Sequence, residues 1–198
     1  MSSEKLTMSA KATRAGSAGI EKLMQELQAA KTPENALKLA RKAVELRPKN
    51  PDLRLMLAIT LHNLGMAGEA EREYGECLML DMTNLRALIN LGSLQISGGQ
   101  LQAGMKALDG ALHLDPDNAE ALEQKGRAFG IMGEPGEALK IFDQLVSGHP
   151  ENVAFMKAQA LCHMEIGHKT KAAEILFRAA QLDPDDAVIK TALKKVAS

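Results

Sequence analysis

The sequence predicts an all-α protein, a solenoid of stacked helix-turn-helix repeats. Three kinds of residue recur with a period of 34 positions and point to this fold. The prolines are Pro48, Pro116, Pro150 and Pro184. The small residues are Ala36, Ala70, Gly104, Ala138 and Ala172. The asparagines are Asn50, Asn84, Asn118 and Asn152. A period of this length is typical of stacked units, each of which cannot bury its apolar face alone.

The markers divide the chain into an N-terminal segment, five repeats and a C-terminal helix. The segment 1–16 is polar and rich in small residues, so we expect it to be disordered or frayed. The five predicted repeats are 17–50, 51–84, 85–118, 119–152 and 153–186. Residues 187–198 follow, and they predict one more helix that caps the array.

Each repeat predicts two helices joined by a tight turn. In the repeat 51–84, apolar residues from Leu53 to Leu64 have helical rather than alternating spacing. Gly65 interrupts this run and has counterparts at Gly99, Gly133 and Gly167. A second helical pattern then runs from Ala70 to about Leu80. The repeat is therefore helix, glycine turn, helix.

The boundaries between repeats carry signals for helix ends. An asparagine before a helix accepts hydrogen bonds from backbone N–H groups that have no partner within the helix. The proline two residues earlier ends the preceding helix, because the residue before a proline avoids the helical region. The predicted N-caps are Thr32, Asn50, Asn84, Asn118, Asn152 and Asp186.

The segment 187–198 has the pattern of an amphipathic helix. Ile189, Leu193 and Val196 lie on one side of it, and three lysines lie on the other. A stacked array needs such an end element to cover the last apolar face of its core. We therefore expect 187–198 to be a capping helix.

Composition argues against binding to nucleic acids. The chain has 24 Lys and Arg against 25 Asp and Glu, so no basic excess is available for phosphates. Aromatic residues make up only 3%, with no Trp, which leaves few platforms for stacking bases.

The sequence favours a cytoplasmic location without membrane insertion. The first sixteen residues contain no apolar stretch of the kind found in secretory signals, and no run is long enough to cross a bilayer. Cys77 and Cys162 lie more than two repeats apart at positions assigned to packed faces, so two buried thiols are expected rather than a disulfide.

No catalytic, metal or cofactor site is predicted. The segment 115–118 (DPDN) has some likeness to a calcium loop, but it lacks the following Gly and the bidentate Glu. Cys162, His163 and His168 have no second ligand pair at zinc spacing. Phosphate-loop and nucleophile motifs are missing from the sequence. We expect a protein that is not an enzyme.

The repeat resembles the tetratricopeptide repeat (TPR). That 34-residue unit has Leu-Gly or Leu-Ala at positions 7–8, aromatic residues at 11 and 24, Ala at 20 and 27, and Pro at 32. The matching residues are Leu57-Ala58, Leu91-Gly92, Lys125-Gly126, Phe129, Tyr74, Phe142, Ala43, Ala111 and Ala179. Position 4 has no Trp, Lys31 replaces the turn glycine of the first repeat and Gly104 replaces Ala. The resemblance covers residues 17–186.

The resemblance implies a right-handed superhelix whose first helices line a concave groove for a partner protein. In this family, positions 2, 5, 9, 12 and 13 of those helices commonly face the ligand. From these offsets and adjacent residues the candidate partner-binding residues are Leu55, Met56, Ile59, His62, Asn63, Arg86, Ile89, Asn90, Ser93, Glu123, Arg127, Lys157 and Leu161. An apolar strip with polar edges is typical of a binding surface. Leu55, Ile59 and Ile89 could form that strip, or could instead pack between neighbouring helices.

Some TPR adaptors hold acidic chaperone tails ending in EEVD with a clamp of Lys, Asn and Arg. In the register that starts with the first repeat, the chain places Glu21, Gln25, Met56, Arg86 and Asn90 at the clamp positions. The other two registers also lack the set of cations that a terminal carboxylate requires. Such tails are therefore not expected partners.

Three functions remain open from the sequence. The first is a protein-interaction adaptor or scaffold that holds a partner segment in the groove. The second is a self-associating scaffold of a larger assembly. The third is an accessory subunit or chaperone of a secretion or enzyme complex.

Overall fold

The computed structural model describes residues 22–23, 25–27 and 29–197, and the regular secondary structure of these residues is entirely α-helical. The described residues of 22–27 are helical. The helices that follow are α1 (Pro33–Leu46), α2 (Pro51–Asn63), α3 (Ala67–Leu80), α4 (Leu85–Ser97), α5 (Leu101–Leu114), α6 (Ala119–Ile131), α7 (Pro135–Gly148), α8 (Val153–Ile166), α9 (Lys169–Leu182) and α10 (Ala187–Ala197). The segment 1–16, expected to be frayed, lies outside the described residues.

The chain forms two compact units, which divide after Leu94. Unit 1 contains α1 to α3 and most of α4, and unit 2 contains the end of α4 and α5 to α10. Each unit has its own apolar core.

The core of unit 1 is centred on α2, which packs against α1 and α3. Leu61, Tyr74 and Cys77 are fully buried in it. At its edge the Arg54 guanidinium donates to the Glu73 carboxylate at 2.7 Å and to the Pro48 carbonyl at 3.1 Å. One side chain therefore joins α2 to α3 and to the loop before α2.

The core of unit 2 contains the close approach of α6 to α7. Gly126 is buried, and a Cβ built on it would lie 2.9 Å from Phe142 Cε2 and 3.4 Å from Ile141 Cγ2. Only a residue without a side chain allows the helices to pack this closely. Farther along the chain, Leu145, Met156 and Leu176 are buried between α7, α8 and α9, and Ile189 of α10 is buried in the same cluster.

Polar contacts also recur with the 34-residue period in unit 2. Lys125 Nζ donates to Asp109 Oδ1 at 2.6 Å, and Gln159 Nε2 donates to Asp143 Oδ1 at 2.7 Å. Both members of the second pair lie 34 positions after those of the first, so the same contact between successive repeats occurs twice.

The predicted N-caps are confirmed by hydrogen bonds from the first turns of the helices. The carbonyl Oδ1 of Asn50 accepts from the Leu53 N–H at 3.1 Å, and that of Asn118 accepts from the Ala121 N–H at 3.0 Å. The caps at Thr32, Asn84, Asn152 and Asp186 show the same geometry.

The predicted turn glycines are also confirmed. Gly65, Gly99, Gly133 and Gly167 have φ values of 73, 79, 73 and 90°. This left-handed region is strained for residues with a Cβ, which explains why glycine ends the first helix of each of these repeats.

Cys77 and Cys162 are buried free thiols, as expected from the sequence. Within the part of the chain that the structure describes, no helix combines the length and apolar character needed to cross a bilayer. The same residues contain no group of three or more His, Cys, Asp or Glu arranged to hold a metal ion.

Candidate functional site

The first candidate site is a pocket in unit 1, which we call the N-terminal pocket. Its volume is about 460 Å³, a size common among ligand sites. It is lined by Leu27, Ala36, Asp52, Leu55, Met56, Ile59, Thr60 and Arg86. Four of the residues predicted from the sequence therefore lie together here: Leu55, Met56, Ile59 and Arg86.

The N-terminal pocket combines an apolar wall with one charge of each sign. Leu55, Met56 and Ile59 come from consecutive turns of α2, whose first turn also carries Asp52. Arg86 comes from the first turn of α4. Asp52 and Arg86 are both exposed, so a ligand can reach an anionic and a cationic group beside the same apolar wall.

Two of the predicted apolar residues are less accessible than the sequence suggested. Only 3% of Ile89 is exposed, and Ile89 does not line the pocket, so its predicted open position is wrong. Leu55 does line the pocket, but it is only 7% exposed. The sequence left open that these residues pack between neighbouring helices instead. Ile89 does so, and most of the Leu55 side chain is buried in the same way. Ile59 is half-buried.

The remaining predicted residues of unit 1 lie outside the pocket. His62 Nδ1 is 3.4 Å from the hydroxyl of buried Tyr74, and the two rings meet edge to face. Burial raises the pKa of Tyr74 to about 12, although the positive charge of Arg86 opposes this shift. Asn63 is exposed at the end of α2, and Asn90 Nδ2 donates to the Arg86 carbonyl at 2.8 Å. Ser93 is half-buried in α4.

The second candidate site is a pocket in unit 2, which we call the C-terminal pocket. Its volume is about 530 Å³, and it lies between α8 and α10, with Leu176 of α9 also contributing. It is lined by Lys157, Ala158, Ala160, Leu161, Met164, Leu176, Ala187, Val188, Thr191, Ala192 and Lys195. The predicted residues Lys157 and Leu161 both belong to this set.

Asp186 fixes the two walls of the C-terminal pocket relative to each other. Its Oδ1 accepts from the N–H groups of Val188 and Ile189 at 2.7 and 3.0 Å and so caps α10. Its Oδ2 accepts from Lys157 Nζ of α8 at 2.6 Å. The bonds to Lys157 and to the backbone lower the pKa of Asp186.

Residues of the α10 wall are absent from the candidate partner-binding residues predicted from the sequence. Val188, Thr191 and Lys195 occupy positions 2, 5 and 9 counted from residue 187, which are the offsets used for the first helices of the repeats. The signal was therefore present in the sequence. The sequence predicts only a capping role for 187–198, because the offsets are defined for the first helices of the repeats.

Two predicted residues of α6 are not brought together with either pocket. Arg127 lines a smaller cavity of about 370 Å³ in unit 2, together with Ile96, Ser97 and Gln124. Glu123 is half-buried and lines none of these three cavities.

Comparison with known proteins identifies the repeat. A family model described as tetratricopeptide repeat matches residues 27–75 and 131–196, more than half of the chain. A second model with the same description matches residues 85–118. The chain belongs to the tetratricopeptide repeat family. The predicted family and the all-α solenoid fold class are thus confirmed.

The individual relatives have low sequence identity to this chain. The chain is 26% identical to the BBSome complex member BBS4 of Bos taurus over 151 residues, which cover 76% of the chain and 29% of that protein. It spans 12% and 19% of the next two curated relatives.

Solved structures share the fold over nearly the whole chain. MamA is 21% identical with a TM-score of 0.76, and the match covers 87% of this chain and 94% of that one. YrrB, described as a TPR protein with an unusual peptide-binding site, is 23% identical with a TM-score of 0.73, and the match covers 86% and 88% of the two chains.

Proposed function

We propose that this chain is a non-enzymatic protein-interaction scaffold that holds a polypeptide segment of a partner on the faces of its first helices. The observation that carries the proposal is the N-terminal pocket, where Leu55, Met56 and Ile59 meet the charges of Asp52 and Arg86. A peptide supplies both apolar side chains and hydrogen-bonding polar groups, so it suits such a mixed surface. The peptide-binding site in the description of YrrB supports this assignment by analogy.

The cytoplasmic location, the exclusion of nucleic acids and of EEVD-type tails, and the absence of a cofactor remain predictions from the sequence. They are compatible with a scaffold function, because holding a partner protein requires only contact surfaces.

Ile59→Glu tests the N-terminal pocket. Because Ile59 is half-buried at the pocket wall, a carboxylate there places an unpaired charge where an apolar ligand group would sit. We expect partners captured by the full chain in affinity purification with mass spectrometry to be lost with Ile59→Glu. Ile89 is unsuitable for this test, since a charge at a buried position would destabilise the fold itself.

Met79→Glu is the matched control for Ile59→Glu. Met79 is an exposed apolar residue of α3 in the same unit and does not line the pocket. We expect Met79→Glu to keep the captured partners, and both variants to melt within a few degrees of the parent. Equal capture by the parent and Ile59→Glu would contradict the proposal.

Self-association is the second candidate function, and exposed methionines favour it. Met79 and Met82 are among the most exposed large apolar residues that the structure describes, and Met adapts readily to different partners. Light scattering over a concentration series tests this candidate. A mass that rises with concentration in the parent but not in Met79→Glu supports it, and a constant monomer mass removes it.

A further inference from the structure

We infer that the N-terminal pocket binds a peptide segment that carries an apolar anchor beside one basic and one acidic residue. This inference rests on the proposed scaffold function and adds the charge pattern of the ligand. It depends on two features of the pocket. One is an apolar wall that the fold covers only in part, and the other is a pair of opposite charges that the fold leaves unpaired.

The apolar wall of the N-terminal pocket remains partly accessible to solvent. Met56 and Ile59 of α2 are half-buried, whereas Leu55 beside them is buried. An apolar side chain of a ligand would remove the exposed parts of Met56 and Ile59 from water, which favours binding in proportion to the apolar area buried. The flexible Met56 side chain can adapt its shape to such an anchor. The wall therefore requires an apolar anchor without specifying which apolar residue supplies it.

The charged groups lie at the end of the pocket where the helices begin. Asp52 and Arg86 are 34 positions apart and belong to the first turns of α2 and α4, so they hold the same place in successive repeats. Ile59 lies about 10 Å farther along α2 than Asp52, since an α-helix rises 1.5 Å per residue. A ligand therefore meets both charges near one end of its apolar anchor.

The charges of Asp52 and Arg86 are not neutralised by the fold. Elsewhere in unit 1 the fold pairs its charges, as it does for Arg54 and Glu73 at 2.7 Å. Among the residues that the structure describes, no ion pair or side-chain hydrogen bond engages the Asp52 carboxylate or the Arg86 guanidinium, and the two do not pair with each other. Both residues are exposed, so both charges are available to a ligand.

Two unpaired charges of opposite sign favour a ligand that also carries both signs. A wholly acidic segment is attracted by Arg86 but repelled by Asp52, and a wholly basic segment meets the reverse. An uncharged apolar segment would shield both groups from water without pairing either, which costs free energy. A segment with one Lys or Arg and one Asp or Glu beside its apolar anchor pairs both charges, and such complementarity determines specificity.

A display library of random peptides, selected on the full chain, supplies the probes. Selected peptides that bind the parent but not Ile59→Glu belong to the N-terminal pocket, and we expect each to carry residues of both signs next to an apolar residue. The tightest of them is synthesised in three forms: the selected sequence, a form with Glu at every charged position, and a form with Lys at every charged position. Fluorescence anisotropy should show that each single-sign form binds about fivefold more weakly than the selected sequence.

Two charge reversals should change the preference of the pocket. Arg86→Glu leaves two acidic groups at the pocket, so the Lys form should become the tightest of the three. Asp52→Lys leaves two basic groups, so the Glu form should become the tightest. Each reversal should also weaken the selected sequence about fivefold, as expected when an exposed ion pair turns repulsive. A loss of folding could not produce a new preference of this kind.

Each reversal has a matched control in unit 1. Arg72→Glu makes the corresponding change at an exposed residue of α3, and Glu45→Lys does so at an exposed residue of α1. Neither residue lines the pocket. Both controls should change the affinity of all three forms by less than twofold and keep the preference of the parent.

The outcomes separate this inference from the proposed function. If no selected peptide depends on Ile59, or if those that do carry charges of one sign or none, this inference is wrong. It is also wrong if Arg86→Glu and Asp52→Lys keep the preference of the parent. Dimers of the parent that dissociate with Ile59→Glu would show that a second copy occupies the pocket, and this too would overturn it. None of these results decides the scaffold function, which stands or falls with the capture of partners by the parent and by Ile59→Glu.

Discussion

His163 shows how a single residue departs from the family pattern at a structural cost. It occupies position 11 of its repeat, where an aromatic residue is usual, and it is the buried polar residue of α8. Its Nδ1 atom has no hydrogen-bond partner among the residues that the structure describes. Its ring centroid lies 5.6 Å from that of His168. Burial lowers the pKa of His163, Asp143 opposes the shift, and His168 and Lys171 reinforce it.

The lowered pKa predicts that stability falls in mild acid. Below about pH 6.5 the unfolded chain protonates His163, whereas the buried ring does so only at lower pH. Because the unfolded state then binds more protons, the free energy of unfolding decreases as the pH falls below 6.5. His163→Phe should reduce this decrease. Urea unfolding of parent and variant at pH 7.5 and pH 5 measures it, and an equal decrease in both proteins would disprove the role of His163.

Asn118 and Ile89 show which properties of a residue can be predicted from the sequence and which cannot. Asn118 caps a helix through a bond to Ala121, three positions along, so its role follows from the local sequence. The exposure of Ile89 depends on how its helix is rotated against its neighbours, which is decided by distant residues. The sequence therefore predicted the caps and turns well, but only part of the candidate site.

Packing between elements depends on where the small residues lie. Gly126 and Gly130 both belong to α6, yet their surroundings differ. A Cβ at Gly126 would meet the ring of Phe142 in α7, whereas a Cβ at Gly130 would meet nothing within 4 Å. The family pattern predicts a small residue at position 8, but it does not reveal how close α7 comes.

Alanine substitutions at these two glycines should have opposite effects. Gly126→Ala should destabilise by about 1–3 kcal/mol, because the buried Phe142 ring must shift, and this outweighs the gain of about 1 kcal/mol in helix propensity. Gly130→Ala should stabilise by up to about 1 kcal/mol. Urea unfolding measures both values. A stable Gly126→Ala variant would mean that the two helices can separate at little cost.

The molecule as a whole must cover the apolar face of its last repeat. α10 does this in unit 2 through Ile189, which is buried in the core cluster shared with α8 and α9. The neighbouring residue Val188 points to the C-terminal pocket instead. The sequence predicted the covering role from the apolar pattern of 187–198. It did not reveal that the same helix forms the wall of a pocket, because that requires the position of α8.

Ile189→Ala should therefore affect stability far more than Val188→Ala. Truncating the buried side chain should cost about 2–5 kcal/mol, whereas truncating the exposed one should change stability by less than about 0.5 kcal/mol. Thermal melting followed by circular dichroism gives the ranking, and hydrogen exchange should show faster opening of α10 in Ile189→Ala. A larger effect of Val188→Ala would show that α10 packs on the repeats through another face.

The accessible side chains of Leu161 and Val188 have a consequence for handling the protein. A molecule that keeps apolar groups in water on both sides of an open cleft is prone to adhere to other molecules when it is concentrated. We expect the ligand-free protein to precipitate at a lower concentration than the peptide-bound protein during purification. Co-expression with a suitable binding peptide should then raise the yield of dispersed material.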